Sequence, residues 1–257
     1  MRIRQASRRG VGANNEDRLG AGADWAFVLD GATAPAGVAS GCVHDVSWLV
    51  DRLAEALRAT LSTPMPLADA LAVAIERVRY AHGGACDLDN PDSPSATVAL
   101  ARRREDGFDY LVLADTAVVF AQEDGTVRAV SDDRVDRLPG GRPYSRQLVR
   151  ESRNAPGGFW VASTVPEAAY EALTGTVLTS EFALMSDGCS RLVDYYGHSW
   201  REVWDHLRVH GPHSLVDWVR AEEERHGVAL GKLHDDATVL HAVFAPDQTR
   251  SLVRAVR

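Results

Sequence analysis

Two short apolar runs that each end in an Asp-Gly pair constrain this sequence more than any other feature. Trp25 to Leu29 leads into Asp30-Gly31, and Phe182 to Met185 leads, after Ser186, into Asp187-Gly188. Short apolar runs that end at a glycine predict buried strands followed by a sharp turn. The sequence therefore predicts two core strands that each end in a carboxylate.

Acidic residues stand beside three further predicted strand ends. Glu16 and Asp17 precede the first strand, Asp115 follows a third strand, and Asp235-Asp236 precedes the last. A single acid at a strand end is usually a turn former or a solvated charge. Acids from five such places that met at one edge of a pair of sheets would repel strongly unless cations neutralised them. Carboxylate and backbone oxygens, with few histidines, suit Mg²⁺ or Mn²⁺ rather than zinc.

The composition is that of an acidic globular protein. The 257 residues are 45% apolar and 25% charged, and the net charge is −8. This charge argues against a dedicated nucleic-acid surface, because phosphate backbones are bound mainly by clustered Lys and Arg. No run approaches the roughly 20 apolar residues of a membrane span, and the segment from Met1 to Gln5 lacks the apolar core of a signal peptide. We therefore expect a cytoplasmic protein that binds neither nucleic acid nor membrane.

The cysteines and histidines do not indicate a zinc site in the sequence. Cys42, Cys86 and Cys189 are an odd number without CxxC spacing, so neither a disulfide framework nor structural zinc is expected, and we interpret them as small buried thiols. His206, His210 and His213 resemble a metal cluster in spacing. Because Gly211-Pro212 interrupts that run, solvated imidazoles are the favoured interpretation.

The apolar spacing predicts one domain over residues 1–245, followed by a frayed tail over 246–257. The predicted elements, in chain order, are a helix from Val38 to Leu61, a helix from Leu67 to Val78, an antiparallel meander of short strands between 96 and 130, an irregular excursion from Leu138 to Gly158, helices from Trp200 to Val209 and from Ser214 to His226, and a strand from Ala237 to Phe244. Helices are indicated where apolar residues recur every three or four positions, and strands where short β-rich runs alternate with turns. The excursion is the best candidate for a mobile flap.

Five motifs stand in an order that is similar to the bacterial branch of the PP2C family of metal-dependent protein serine/threonine phosphatases. They are Asn14-Asn15-Glu16-Asp17, Leu29-Asp30-Gly31, Ala114-Asp115-Thr116, Met185-Ser186-Asp187-Gly188 and Asp235-Asp236-Ala237-Thr238. Ala36 to Ser40 also resembles the start of that family's first long helix. Each motif alone is weak, whereas five in order over residues 10–244 are specific.

The resemblance implies an α+β fold, a four-layer α-β-β-α sandwich of two antiparallel sheets flanked by helices. It also implies a centre of two Mn²⁺ or Mg²⁺ ions, with a third ion near Asp115. By this resemblance Asp30 bridges the two metals and the Gly31 carbonyl binds one of them. Asp187 and Asp235 are ligands of the second metal, and Asp236 stands beside them where the family usually has Asn. Glu16 and Asp17 bind or orient metal-coordinated water.

The implied reaction is hydrolysis of phosphoserine and phosphothreonine on proteins by metal-activated water, without a covalent enzyme intermediate. Coordinated water is the preferred proton donor to the leaving oxygen, with His44 or His234 as alternatives. The family usually has a phosphate-binding arginine where this chain has Gly12. A guanidinium makes bidentate bonds to phosphate, so its loss should weaken binding unless another cation replaces it. Arg9 is the candidate replacement.

Two alternatives remain open at this point. The chain could be a degenerate member that binds or regulates a phosphorylated protein without turnover, as the absence of the arginine suggests. It could also be a small-molecule phosphatase on the same scaffold, because fold does not fix substrate. Turnover of a phosphopeptide, and of phosphorylated metabolites, separates the three.

Overall fold

Two five-stranded antiparallel sheets form the centre of the molecule. A computed structural model describes residues 1–32, 37–228 and 231–244. The strands are β1 (Arg2–Arg8), β2 (Arg18–Ala21), β3 (Trp25–Ala32), β4 (Ser95–Arg104), β5 (Gly107–Leu113), β6 (Ala117–Ala121), β7 (Val127–Val130), β8 (Leu173–Val177), β9 (Glu181–Met185) and β10 (Ala237–Val243). One sheet has the order β1-β10-β9-β6-β7 and the other the order β2-β3-β4-β5-β8.

Helices cover the outer faces of both sheets. They are α1 (Val46–Leu61), α2 (Leu67–Ala81), α3 (Arg146–Ser152), α4 (Asp187–Asp194), α5 (Trp200–His210) and α6 (Pro212–His226), with a 3-10 helix over Pro166–Glu171. Buried side chains of α1 and α2, such as Leu53 and Leu71, pack on Leu100 of β4. Trp204 of α5 belongs to a second buried cluster with Val239 of β10. None of the helices in the described ranges is both long and apolar enough to cross a membrane.

A third apolar cluster lies between the two sheets. Val28 and Val112 come from one sheet and Leu184 and Leu240 from the other, and all four are completely buried. The layers are therefore helix, sheet, sheet and helix. This confirms the predicted four-layer sandwich of two antiparallel sheets.

The prediction that the first helix begins at Val38 is wrong, because α1 begins at Val46. Gly41 has a φ of 70°, which is outside the right-handed helical region, and the Asp45 side chain accepts a 2.8 Å hydrogen bond from the Trp48 backbone N–H as a helix N-cap. Residues 37–45 are a loop instead. Of the motif that resembles the helix start, Ala36 lies outside the described residues.

The predicted meander between residues 96 and 130 is wrong in its connectivity. β4 pairs with β5 in one sheet, whereas β6 pairs with β7 and β9 in the other. The chain changes sheets between Leu113 and Ala117, and Ala114 adopts a φ of 64° there, a left-handed conformation that is unfavourable for residues other than glycine. The change of sheet carries Asp115 to the edge where both sheets end.

The excursion from Leu138 to Gly158 is irregular apart from α3, as predicted. Its inner side is a small apolar cluster in which Leu138 packs with Phe159 and Val161 near Ala114. The predicted tail, 246–257, lies outside the described residues. The single-domain boundary at residue 245 stays a prediction.

Candidate metal centre

Strand register brings the ends of several acid-bearing strands to one edge of the sandwich. Ala117 of β6 is opposite Met185 of β9, and Met185 is also opposite Val239 of β10. Asp115 therefore precedes β6 beside the place where Asp187 follows β9. The Asp187 backbone N–H donates to Asp30 Oδ2 at 3.4 Å, which joins the end of β3 in the other sheet to this edge.

The glycines of the two Asp-Gly pairs are required by close backbone contacts. A Cβ on Gly188 would collide with the carbonyl oxygen of Asp236. A Cβ on Gly31 would lie 2.7 Å from the carbonyl oxygen of Glu16 and 2.5 Å from a methyl carbon of Val46. Glycine at these positions therefore lets the acid-bearing segments pack together.

Asp17 is held by a hydroxyl in the core. Its side chain is 3% exposed, and Oδ2 accepts a 2.8 Å hydrogen bond from Ser186 Oγ. Ser186 Oγ also accepts the Thr238 backbone N–H at 2.9 Å. The other carboxylate oxygen, Asp17 Oδ1, is buried and has no hydrogen-bond partner among the residues that the structure describes. A buried carboxylate oxygen without a donor is unfavourable, so this atom indicates a missing partner.

Four carboxyls at this edge have pKa values above their ordinary value, in each case chiefly because they are buried. The pKa of Asp17 and that of Asp115 are each raised to about 7, with the charge of Asp187 contributing to both. Burial, and then the charges of Asp187, Asp17 and Asp115, raises the pKa of Asp30 well above 3.8. Burial and the charge of Asp235 raise the pKa of Asp187. The four groups repel one another as anions.

Asp235 is in a different electrostatic environment, because two cations of the chain already contact it. Arg191 Nη2 donates to Asp235 Oδ2 at 2.8 Å, and Lys232 Nζ lies 3.6 Å from Oδ1. Arg191 also pairs at 2.8 Å with Glu223, which is fully buried and accepts from Arg220 as well. This ion network fixes Asp235 between α4 and α6.

Asp236 has a structural role in these contacts. Its two carboxylate oxygens accept the backbone N–H groups of Gly10 at 2.7 Å and Glu16 at 2.6 Å. The loop from Gly10 to Glu16 is thereby tied to the start of β10. The carboxylates of Asp235 and Asp236 therefore both have partners in the chain.

Residues 4–220 match the family model described as "Protein phosphatase 2C". The chain belongs to the protein phosphatase 2C family. No curated protein sequence gives a significant match.

Solved structures of bacterial phosphatases share the fold of this family member. The Mycobacterium tuberculosis serine/threonine phosphatase PstP/Ppp has a TM-score of 0.60 and 18% identity, covering 95% of this chain and 98% of that one. The PstP catalytic domain in complex with two manganese ions gives 0.60 and 18%, with coverages of 94% and 97%. PppA, a key regulatory component of T6SS in Pseudomonas aeruginosa, gives 0.58 and 20%, with coverages of 95% and 97%.

The donor set of this protein phosphatase 2C chain fits a divalent cation at the four-acid edge. Burial and mutual repulsion raise the pKa values of Asp17, Asp30, Asp115 and Asp187. Among the described residues, no group donates a hydrogen bond to Asp17 Oδ1. Within the described ranges, however, the one group of three or more candidate ligand atoms that all lie within 4.8 Å of each other is a Cys/His cluster elsewhere. The four acids are nonetheless neighbours, because the charge of at least one of them affects the pKa of each of the others.

The arginines near the first motif have different partners. Arg18 pairs with Asp51 at 2.6 Å and Arg8 with Asp217 at 2.6 Å. Arg9 Nη1 donates to the Ala13 carbonyl at 2.7 Å, and in the described part of the chain no carboxylate pairs with it. Arg9 therefore remains available as the predicted phosphate ligand.

Sequence reasoning missed two cationic residues of the site. Arg191 lies one helical turn after Asp187, and this i to i+4 spacing on a helix that begins at the acid was the available signal. Arg142, on the excursion, lines a cavity of about 530 Å³ together with Asp115 and Asp187. Its guanidinium is 2.5 Å from Asp136, and nothing in the sequence indicates that the excursion folds back onto this edge.

Proposed function

We propose that this protein is a divalent-metal-dependent phosphatase that hydrolyses phosphate monoesters, with phosphoserine and phosphothreonine of proteins as its substrate class. The observation that carries the proposal is the edge where buried Asp17 and half-buried Asp30, Asp115 and Asp187 come together with raised pKa values. Family membership supports a phosphatase, and the PstP structure with two manganese ions supports metal dependence.

The residues that would hold a cation are the four acids, with the Gly31 carbonyl at the end of β3. A bound Mn²⁺ or Mg²⁺ supplies Lewis acidity toward phosphoryl oxygens and water. Half-buried Glu16 lies on the loop that Asp236 ties to this edge, so it can orient water there. A second ion at Asp235 would have to compete with Arg191 and Lys232 for that carboxylate.

Substrate phosphate would be bound by cations of the chain. Arg9 precedes Gly10, whose N–H binds Asp236, and Arg142 lines the cavity that Asp187 also lines. A guanidinium at either place can make charge-assisted bonds to phosphoryl oxygens. The two arginines approach the edge from different loops, so both are candidates for phosphate binding.

The deciding experiment compares wild type with Asp30→Asn on p-nitrophenyl phosphate and on a phosphothreonine peptide, with Mn²⁺ and with chelator. We expect chelator to abolish turnover. We expect Asp30→Asn to reduce turnover by more than about 100-fold, because even outer-shell partners of a metal are worth about 10–100-fold. Asp205→Asn, an exposed acid on α5, is the matched control. Full activity of Asp30→Asn would overturn the proposal.

A member that binds phosphoprotein without turnover is the second candidate. Two observations favour it: Gly12 replaces the usual arginine, and Arg191 occupies the carboxylate of Asp235. Such a protein would bind the phosphopeptide in Mn²⁺ and release no phosphate. If phosphorylated metabolites were hydrolysed in preference to peptides, the third possibility, a small-molecule phosphatase, would be supported.

A further inference from the structure

Two cysteines and two histidines meet beside the start of α1 and the end of α2. Cys42 and His44 lie in the loop before α1, and His82 and Cys86 follow α2. One candidate ligand atom from each residue lies within 4.8 Å of the other three. Cys42 Sγ and Cys86 Sγ are 3.1 Å apart, and His44 Nδ1 is 3.7 Å from the first and 3.4 Å from the second.

Hydrogen bonding fixes which nitrogen of His82 is available. His82 is 3% exposed, and its Nδ1 is 2.8 Å from the Val78 carbonyl oxygen. A carbonyl can only accept, so Nδ1 must carry the proton. In the neutral ring the lone pair is then on Nε2. A metal-binding histidine commonly donates its other ring nitrogen to a backbone carbonyl in this way.

Other groups support the four side chains. The Val43 backbone N–H donates to Cys86 Sγ and the His44 backbone N–H to Cys42 Sγ, both at 3.4 Å. Hydrogen bonds to sulfur favour the thiolate. The Trp48 ring stacks on His44 at a centroid distance of 3.8 Å and meets His82 edge-on at 4.7 Å. The aromatic ring thus covers one side of the cluster.

We propose that Cys42, His44, His82 and Cys86 form a structural zinc site. Two thiolates and two imidazoles are a donor set of structural zinc, which is tetrahedral with all four ligands from protein. Zinc–ligand bonds of about 2.3 Å to sulfur and 2.0–2.1 Å to nitrogen place tetrahedral ligand atoms about 3.4–3.8 Å apart. The two sulfur-to-His44 Nδ1 distances, 3.7 and 3.4 Å, lie in this range, and the two sulfurs, 3.1 Å apart, would move apart by about 0.7 Å on binding. Binding releases two thiol protons to solvent.

The site would brace one wall of the acidic edge. The two loops are already joined by the Asp87 backbone N–H, which donates to the Gly41 carbonyl at 2.8 Å. The second loop continues to Asp92, which pairs with Arg150 of α3 and lines a cavity of about 250 Å³ together with Asp115. Zinc would therefore fix a loop that connects the helical layer to the excursion.

Metal content tests the proposal directly. Protein purified under reducing conditions and equilibrated with Zn²⁺ in excess Mg²⁺ should retain about one zinc per chain by elemental mass spectrometry. Cys42→Ser and Cys86→Ser should each lose it. Cys189→Ala and His210→Asn, which remove a thiol and an imidazole outside the cluster, should keep it. Asp30→Asn should also keep it, which separates this site from the acidic edge and from the proposed phosphatase activity.

A second measurement uses the wild-type chain and does not depend on variants folding. Cobalt added to chelator-stripped protein should give a thiolate-to-cobalt charge-transfer band. Zinc should also protect Cys42 and Cys86 of the folded protein from alkylation, as detected by mass spectrometry. The same cysteines in an unfolded reference sample should not be protected. Less than about 0.2 zinc per folded, reduced chain, with no thiolate band, would overturn the proposal. So would a Cys42–Cys86 disulfide in protein kept under reducing conditions.

Discussion

Ser186 is the residue on which the inner part of the acidic edge depends. Its hydroxyl donates to Asp17 and accepts the Thr238 backbone N–H, and the side chain is completely buried. One oxygen atom therefore joins the N-terminal acid to β9 and β10. Hydrogen bonds to a charged group are stronger than neutral ones, and an unpaired buried donor carries a full desolvation cost.

Ser186→Ala should lower the free energy of unfolding by about 2–3 kcal/mol, because it leaves the Thr238 N–H without an acceptor and removes the donor to Asp17. Urea unfolding at neutral pH measures the change. Ser62→Ala, which removes an exposed hydroxyl bonded to the Arg58 carbonyl, is the control and should stay within about 0.5 kcal/mol of wild type. A Ser186→Ala change as small as that of the control would contradict the assigned role.

At the scale of elements, α4 carries an acidic and a basic side chain one helical turn apart. Asp187 begins the helix, where the positive end of its dipole favours a negative charge. Arg191, one turn later, contacts Asp235 and the buried Glu223 of α6. The helix therefore contributes one carboxylate to the edge and neutralises another.

Arg191→Met should destabilise the chelator-treated protein by about 3 kcal/mol, because removing one partner of a buried ion pair leaves the other uncompensated. It also releases Asp235 from its guanidinium, so saturating Mn²⁺ should restore more stability in the variant than it adds to wild type. Urea unfolding in chelator and in Mn²⁺ gives both quantities. Arg191→Lys, which keeps the charge without the planar fork, is the comparison and should lose less. Equal Mn²⁺ effects in Arg191→Met and wild type would show that Arg191 does not compete for Asp235.

The strands that carry acids were predictable from the sequence, because a short apolar run that ends in Asp-Gly favours a buried strand followed by a sharp turn. Asp30 in β3 and Asp187 after β9 are the two examples. Features that depend on distant partners were not. Arg191 contacts a residue 44 positions away. Cys42 and Cys86 are also 44 positions apart and are brought together by the pairing of α1 with α2, so spacing rules for zinc do not detect them. The start of α1 at Val46 was not predictable, because Val38, Cys42 and Val46 have the apolar spacing of a helix although residues 37–45 form a loop.

For the whole molecule, the two sheets meet at an edge that concentrates negative charge. Asp30 comes from one sheet, Asp187 and Asp115 from the other, and Asp17 from the N-terminal segment. The packing that forms this edge also keeps water from the carboxyls, which raises their pKa values. Folding therefore works against ionisation here unless a cation is bound.

The stability of the metal-free protein should accordingly fall as pH rises. Asp17 and Asp115 have pKa values of about 7 in the folded protein against 3.8 ordinarily, so between about pH 4 and 7 the folded state binds more protons than the unfolded state. The free energy of unfolding decreases through that window and levels off above it. From pH 5.5 to 8 one such carboxyl contributes about 2 kcal/mol, which lowers the Tm by about 4 °C or more.

Thermal unfolding in chelator and in Mn²⁺, at pH 5.5 and pH 8, tests this expectation. The cation favours the ionised carboxylates, so the gain in Tm from Mn²⁺ should be larger at pH 8 than at pH 5.5. Asp17→Asn should flatten the pH dependence in chelator, because it removes one titrating group, whereas Asp205→Asn should leave it unchanged. Comparing the two variants cancels the contribution of every titrating group that they share. If Asp17→Asn kept the wild-type slope, the burial of Asp17 would not be the source of the pH dependence.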